Sequence, residues 1–188
     1  MYKYLLNIAT VPILILLCSS CSVVKFAKIY SSADTVESRG ELKRNIYRTD
    51  RTTYKIGSLA PGWKRIKSER GDLFFWNKHK DSTITVDSIC DEIKTKYDLK
   101  ALSDSLITGI KDKKLLKRDN ITISSVDALY SQYEGIFEDE SIGISTIVLK
   151  KGKCIYDLSY SSIANEFNKN LDEFLDFSAD FEVVGNNE

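Results

Sequence analysis

Apolar side chains are laid out in three ways along this chain, and each layout predicts a different element. Residues 5–17, LLNIATVPILILL, form a nearly unbroken apolar block preceded by a single charge, Lys3. Residues 22–53 are polar and charged without an apolar period, which reads as a tether with a short helix near 35–47. Alternation then begins. Residues 54–56 and 63–66 are short strand candidates on either side of the turn signal Ala60-Pro61-Gly62. Residues 72–76, DLFFW, are apolar on both faces, as a covered central strand is. Residues 82–89, STITVDSI, alternate strictly and are rich in β-branched side chains, the pattern of a strand.

A helical period follows. Leu99, Leu102, Leu106, Ile107 and Ile110 share one stripe, Gly109 lies near its end, and the lysine-rich run at 111–118 reads as a solvated connection. Four further strands are predicted at 120–126, 129–138, 141–150 and 153–161. The junctions at 138–140 and 151–152 are short enough for hairpins, so the last three strands should form an antiparallel meander. In the last of them Cys154, Tyr156, Leu158 and Tyr160 face one way and Ile155, Asp157, Ser159 and Ser161 the other. Phe167, Leu171, Phe174, Leu175, Ser178 and Phe181 make a closing helical stripe, and Val183 and Val184 add an edge strand. This order predicts an α+β fold, a mostly antiparallel sheet of about six or seven strands sandwiched with two main helices.

The apolar block at 5–17 is too short to cross a bilayer core, which takes about 20 residues, and Asn7 and Pro12 weaken it further. A basic start, a short apolar core and small residues before a break make a secretory signal. Ser19-Ser20-Cys21 resembles the lipoprotein box of bacteria, cleaved before a cysteine that carries lipid. Cys18 competes for the lipid, but it follows the bulky Leu17 and itself sits where that box usually has leucine. The resemblance implies a signal peptide at 1–20, a lipidated Cys21 with its tether at 21–53, and one globular domain at 54–188. Ser22, rather than aspartate, follows the lipid site, which in Gram-negative lipoproteins implies the outer membrane, facing the periplasm. The mature form carries several acyl chains, palmitate among them, and that number anchors stably.

The domain also resembles a family. Leu59-Ala60-Pro61-Gly62-Trp63, the strand pair after it, the internal helix, the hairpins and the ending Phe167, Phe174, Phe177-Ser178-Ala179-Asp180-Phe181 are similar to PsbP-like domains, over 54–184. These are α-β-α sandwiches of photosystem extrinsic proteins and of many bacterial envelope lipoproteins. The resemblance implies no common active site.

Charge narrows the partners. The chain has 27 basic and 27 acidic residues, and loss of Lys3 with the signal leaves −1, which argues against nucleic acid. Cys90 and Cys154 are an even pair in an exported domain and should form a disulfide, the alternative being two buried thiols. No CxxC pair lies outside the signal region, so neither a redox motif nor a zinc site is expected. His79, the single histidine, falls in a charged hairpin loop, and no GxSxG elbow accompanies it. Glu134, Glu138, Asp139 and Glu140 cluster at a predicted hairpin tip, where charge serves solubility, and the calcium-loop pattern is absent. The basic run at 111–118 either meets anionic headgroups or complements the end of the preceding helix. Tyr130, Tyr133, Phe137, Tyr156 and Tyr160 form either a ligand face or an ordinary half-buried sheet. No catalytic residue, metal or cofactor is assigned. The expectation is a non-catalytic envelope module, anchored to a membrane, that binds a partner protein or an apolar ligand. The alternatives are a serine-type hydrolase using His79 and a lipid-handling envelope protein.

Overall fold

The computed structural model describes residues 40–67 and 71–186. Two antiparallel sheets dominate them. The smaller is β1 (Gly40–Lys43), β2 (Ile46–Thr49) and β3 (Thr52–Lys55), completed by β11 (Glu182–Asn186) alongside β3. The larger contains β4 (Lys64–Ile66), β5 (Leu73–Asn77), β6 (Ser82–Cys90), β7 (Lys111–Ile123), β8 (Val126–Phe137), β9 (Glu140–Lys151) and β10 (Cys154–Ile163), in the order β4-β5-β6-β10-β9-β8-β7. Two α-helices accompany the sheets, α1 (Leu99–Ser105) and α2 (Ala164–Ala179).

Local chemistry fixes the hairpins. Arg44-Asn45, Ser124-Ser125 and Glu138-Asp139 are two-residue loops with positive φ at both positions, the turn whose twist matches that of the strands it joins. Between β9 and β10, Gly152 (φ 61°) supplies a positive φ at the first loop position alone, the other hairpin turn of matching twist. Four long strands are thereby joined in series as a meander, β7-β8-β9-β10, and β6 then pairs with the free side of β10.

Side-chain alternation gives the large sheet two different faces. On one, Ile84 and Val86 of β6, Leu158 and Tyr160 of β10 and Ile147 of β9 are buried. They pack against Phe167, Phe174 and Phe177 of α2 and against Tyr47, Tyr54 and Val183 of the small sheet, in one continuous core. Aromatic rings join the layers: Tyr54 lies 5.9 Å from Tyr156 and 5.4 Å from Phe181, and Tyr160 stacks on Phe174 at 5.7 Å. Among the described residues the other face is covered over β8 and β9, where α1 and the turn after it bury Ile107 and Ile110 on Tyr133, Ile142 and Ile144.

The expected α+β sandwich of six or seven strands with two main helices is therefore corrected to a sheet-rich β-sandwich, with eleven strands and one long helix among the described residues. Two stretches account for the difference. The helical stripe from Leu99 to Ile110 is helical only to Ser105, and Ile107 and Ile110 reach the core from a turn instead. The run at 111–118, taken as a connection, is the first part of β7, an exposed edge strand. Its lysines and two register shifts are devices that keep an open edge from pairing with another chain. The segment expected to be tether and short helix carries β1 and β2 from Gly40 onward.

Candidate functional site

β6 and β10 cross the middle of the large sheet, and their outer faces lie beyond the reach of the seven-residue α1. Their register sets three polar pairs side by side on that face: Thr83 opposite Ser161, Thr85 opposite Ser159, and Asp87 opposite Asp157. Directly opposed Cβ atoms lie about 5 Å apart, so the two carboxylates are neighbours. The three pairs form the floor of a cleft of about 360 Å³. Thr146 and Ile144 of β9, Phe137 of β8, and Leu106, Gly109 and Ile110 from the turn after α1 form its wall and roof.

A hydrogen-bond network holds that roof in place. The Asp98 side chain caps α1 by accepting from Ala101 N at 2.6 Å. Ser103, fully buried, donates to Ser131 Oγ at 3.1 Å and shares a bond of 3.0 Å with Thr146 Oγ1. Arg118 Nη2 donates to Asp104 Oδ1 at 2.5 Å and to Tyr133 OH, and Tyr133 OH donates to the same carboxylate oxygen at 2.9 Å. Partial burial opposes the Asp104 charge, but hydrogen bonds from Lys100, Arg118 and Tyr133 outweigh it and hold its carboxyl at about 2. Asp104 is thus committed as an anion to fixing the helix.

Asp157 is the reverse case. It is 9% exposed, and its Oδ1 is buried without a hydrogen-bond partner. Burial first, and the neighbouring Asp87 charge second, push its carboxyl up to about 7, with Lys94 pulling weakly the other way. Asp157 therefore keeps its proton up to near neutrality. Such an arrangement can accept a cation in place of that proton, or transfer the proton to a bound molecule.

The residues singled out from sequence are distributed differently. Cys90 and Cys154 form a disulfide across the β6–β10 pair, where their Cα atoms are 4.0 Å apart. Tyr130, Tyr133, Tyr156 and Tyr160 are all buried, and they do not share a surface. Tyr130, Tyr156 and Tyr160 belong to the main core and Tyr133 to the core under α1, leaving Phe137 alone on the cleft wall. His79 is exposed on the turn between β5 and β6, outside the cleft. Glu138 and Asp139 occupy the β8–β9 turn, and Glu134 is exposed on β8. Cys21 lies outside the described residues. Asp87 and Asp157 were not singled out, although each is a carboxylate in the middle of a strongly alternating strand, and that is the signal that could have marked them.

The chain matches no family model, and no curated protein matches it. Its fold does have relatives among solved structures. A crystal structure from Bacteroides thetaiotaomicron is similar with a TM-score of 0.51 and 12% identity, over 70% of this chain and 45% of that one. The chain thus spans less than half of that protein. LpqN of Mycobacterium tuberculosis, described as involved in cell envelope biogenesis, has a TM-score of 0.52 and 10% identity, over 71% of this chain and 86% of its own. The solution structure of a cyanobacterial PsbP from Synechocystis has a TM-score of 0.47 and 12% identity, over 81% and 96%. What the first two share with this chain at these identities is the fold.

Proposed function

We propose that this chain is a non-catalytic accessory module of the bacterial cell envelope, of PsbP-like type, whose ligand site is the cleft over β6 and β10. The observation that carries the reading is the buried, unpartnered Asp157 beside Asp87 on the floor of a concave site of small-molecule size. A lipid on Cys21 would tether the module to the outer membrane on its periplasmic side, as the Ser19-Ser20-Cys21 signal indicates. The envelope role of LpqN, which has the same fold, is consistent with this setting. An apolar ligand held by tyrosines is not favoured, because those rings are buried in the two cores. A hydrolase built on His79 is disfavoured by its place on an exposed turn away from the cleft.

Two measurements test the proposal. Expressed in a Gram-negative host, the full chain should label with palmitate and fractionate with outer membranes. Cys21→Ser should abolish labelling and leave uncleaved precursor, whereas Cys18→Ser should leave both labelling and cleavage intact. Labelling that persists without Cys21 refutes the anchor. Turnover on a broad hydrolase substrate panel that disappears in His79→Ala or Asp157→Asn refutes the non-catalytic reading.

A further inference from the structure

The charge of this chain is balanced in total but not in space. Residues 93–118, which run from the turn after β6 through α1 and into the first half of β7, carry eight basic and three acidic side chains. That is a net charge of +5 in a chain of net zero, so the remainder carries −5. The fold makes this segment one layer. Lys150 Nζ of β9 donates to the carbonyls of Thr95 and Tyr97, α1 lies along β8 and β9, and β7 returns beside β8 with Arg118 bonded to Asp104 of α1. The long helix α2, in which Glu166, Asp172, Glu173 and Asp176 outnumber the single cation Lys169, packs on the opposite face of the sheet. The domain is therefore polarised across the sheet, basic on the α1 side and acidic on the α2 side.

Apolar exposure follows the same division. The large apolar side chains exposed among the described residues, Val184 apart, all lie in the basic layer: Ile93, Tyr97, Leu106, Leu115 and Leu116. Blunting an open edge takes lysines and bulges, and two exposed leucines at the second register shift of β7 work against it. Lys94 and Lys96 lie outside β7 altogether. Lys94, Lys96, Lys111 and Lys114 are exposed and form no ion pair with a described residue, and the exposed Lys100–Asp104 and Lys117–Asp119 pairs are weak. Leucine and tyrosine tips set among lysines are the surface chemistry of a protein that lies on an anionic bilayer, where cations meet headgroups and apolar tips enter the boundary beneath them. The chain keeps such a surface within reach. Residues 22–39, between the proposed lipid on Cys21 and β1, can span up to about 60 Å, and a domain of this size is about 40 Å across. Docking of a tethered domain needs little affinity of its own, because the tether holds it near the surface.

We infer that the layer at 93–118 docks on an anionic phospholipid bilayer, with its exposed lysines over the headgroups, Leu115 and Leu116 dipping below them, and α2 turned away. In taking a bilayer as the occupant the inference rests on the Cys21 anchor, and the test reads the two separately. The full chain, purified from membranes in mild detergent, is reconstituted with vesicles of phosphatidylcholine alone and of equal parts phosphatidylcholine and phosphatidylglycerol. Flotation with the neutral vesicles reads the anchor. Lysine acetylation by an uncharged reagent, followed by mass spectrometry, reads the docking. In the anionic vesicles acetylation of Lys94, Lys96, Lys111 and Lys114 should slow at least about fivefold relative to the neutral ones, and molar salt should reverse the effect. Lys55 on β3 and Lys169 on α2 should label equally in both. Lys111→Glu combined with Lys114→Glu should restore labelling of Lys94 and Lys96 while the melting transition stays that of wild type. Equal labelling in the two vesicle types overturns the inference and leaves the anchor standing. A chain that does not float with neutral vesicles has lost the anchor, and flotation with the anionic vesicles then supports docking while its absence overturns it. Slowing of all lysines alike overturns the inference. So does slowing in isolated outer membranes without slowing in the anionic vesicles, which would point to an acidic protein surface instead.

Discussion

Asp157→Asn should make the protein more stable at neutral pH, although it removes a buried residue's charge from the centre of the sheet. In an unfolded chain the carboxyl titrates near 3.8, whereas in the folded protein it is held up to about 7. Below pH 4 the group is protonated in both states and costs nothing. Between pH 4 and 7 the unfolded chain loses this proton while the native state keeps it, so stability falls as pH rises. Above 7 both forms are ionised and the full penalty applies. At 1.36 kcal/mol for each pKa unit, the difference amounts to about 4 kcal/mol, an upper figure because local relaxation lowers it. Asparagine cannot ionise, and its amide can donate to Asp87. The variant should therefore gain on the order of 2–4 kcal/mol at pH 8, or on the order of 5–10 °C in melting temperature, and close to nothing at pH 4. Urea unfolding of wild type and variant from pH 4 to 8 measures this directly, and the difference between the two curves cancels groups of opposite sign such as Asp104. Asp87→Asn should give a smaller change, because burial is the larger cause and remains. Parallel stability curves for Asp157→Asn and wild type across the whole range would refute the reasoning.

Other expectations concern the frame around the cleft. A Cβ on Gly143 would sit 2.3 Å from the Phe167 ring, so Gly143→Ala should force α2 off the sheet and cost about 1–3 kcal/mol in denaturant unfolding. Opening the Cys90–Cys154 bridge, which closes a separation of 64 residues, should cost about 4 kcal/mol in the chain-entropy account, read as a lower urea midpoint for the double alanine variant. The loop residues Glu138 (φ 46°) and Asp139 (φ 70°) sit in the left-handed region, and replacing them by Asn-Gly should stabilise by about 1 kcal/mol without moving the strands, checked by melting temperature and by amide exchange in β8 and β9. Arg118→Met should release Asp104 and Tyr133 and speed amide exchange in α1 while leaving the α2 side of the sheet protected.

Where the chain pattern was strong, it named the element correctly. The two faces of residues 154–161, the meander of β8, β9 and β10, the closing aromatic helix and the pairing of Cys90 with Cys154 all follow from alternation, period and parity. The misread stretches are those in which burial, the source of pattern, is slight. β1 and β2 are four residues each, and only Leu42, Ile46 and Tyr47 turn inward enough to register. The first part of β7 is exposed on both faces, so its lysines leave no alternation to read. α1 ends early because Ile107 and Ile110 are needed by the small core whether or not the backbone there is helical. The carboxylate pair was hidden for another reason. Each aspartate is visible in its own strand, but their meeting depends on β6 pairing with β10 after three intervening strands, and pairing between strands distant in sequence leaves no trace in either segment alone.

That pairing also sets Asp87 beside Asp157 on the face proposed to bind a ligand. Elsewhere the chain's local choices agree with the fold: apolar residues inward, left-handed turns at hairpins, lysines on the open edge, and a half-exposed Asp104 satisfied by arginine and tyrosine. Over β6 and β10 the sheet sets acid against acid, and there the covering helix stops short. Violations of local consistency concentrate where a protein trades stability for binding or chemistry. The disulfide lies three residue pairs from the carboxylates on the same two strands. It resists the separation that their repulsion favours, and so keeps both acids facing the cleft.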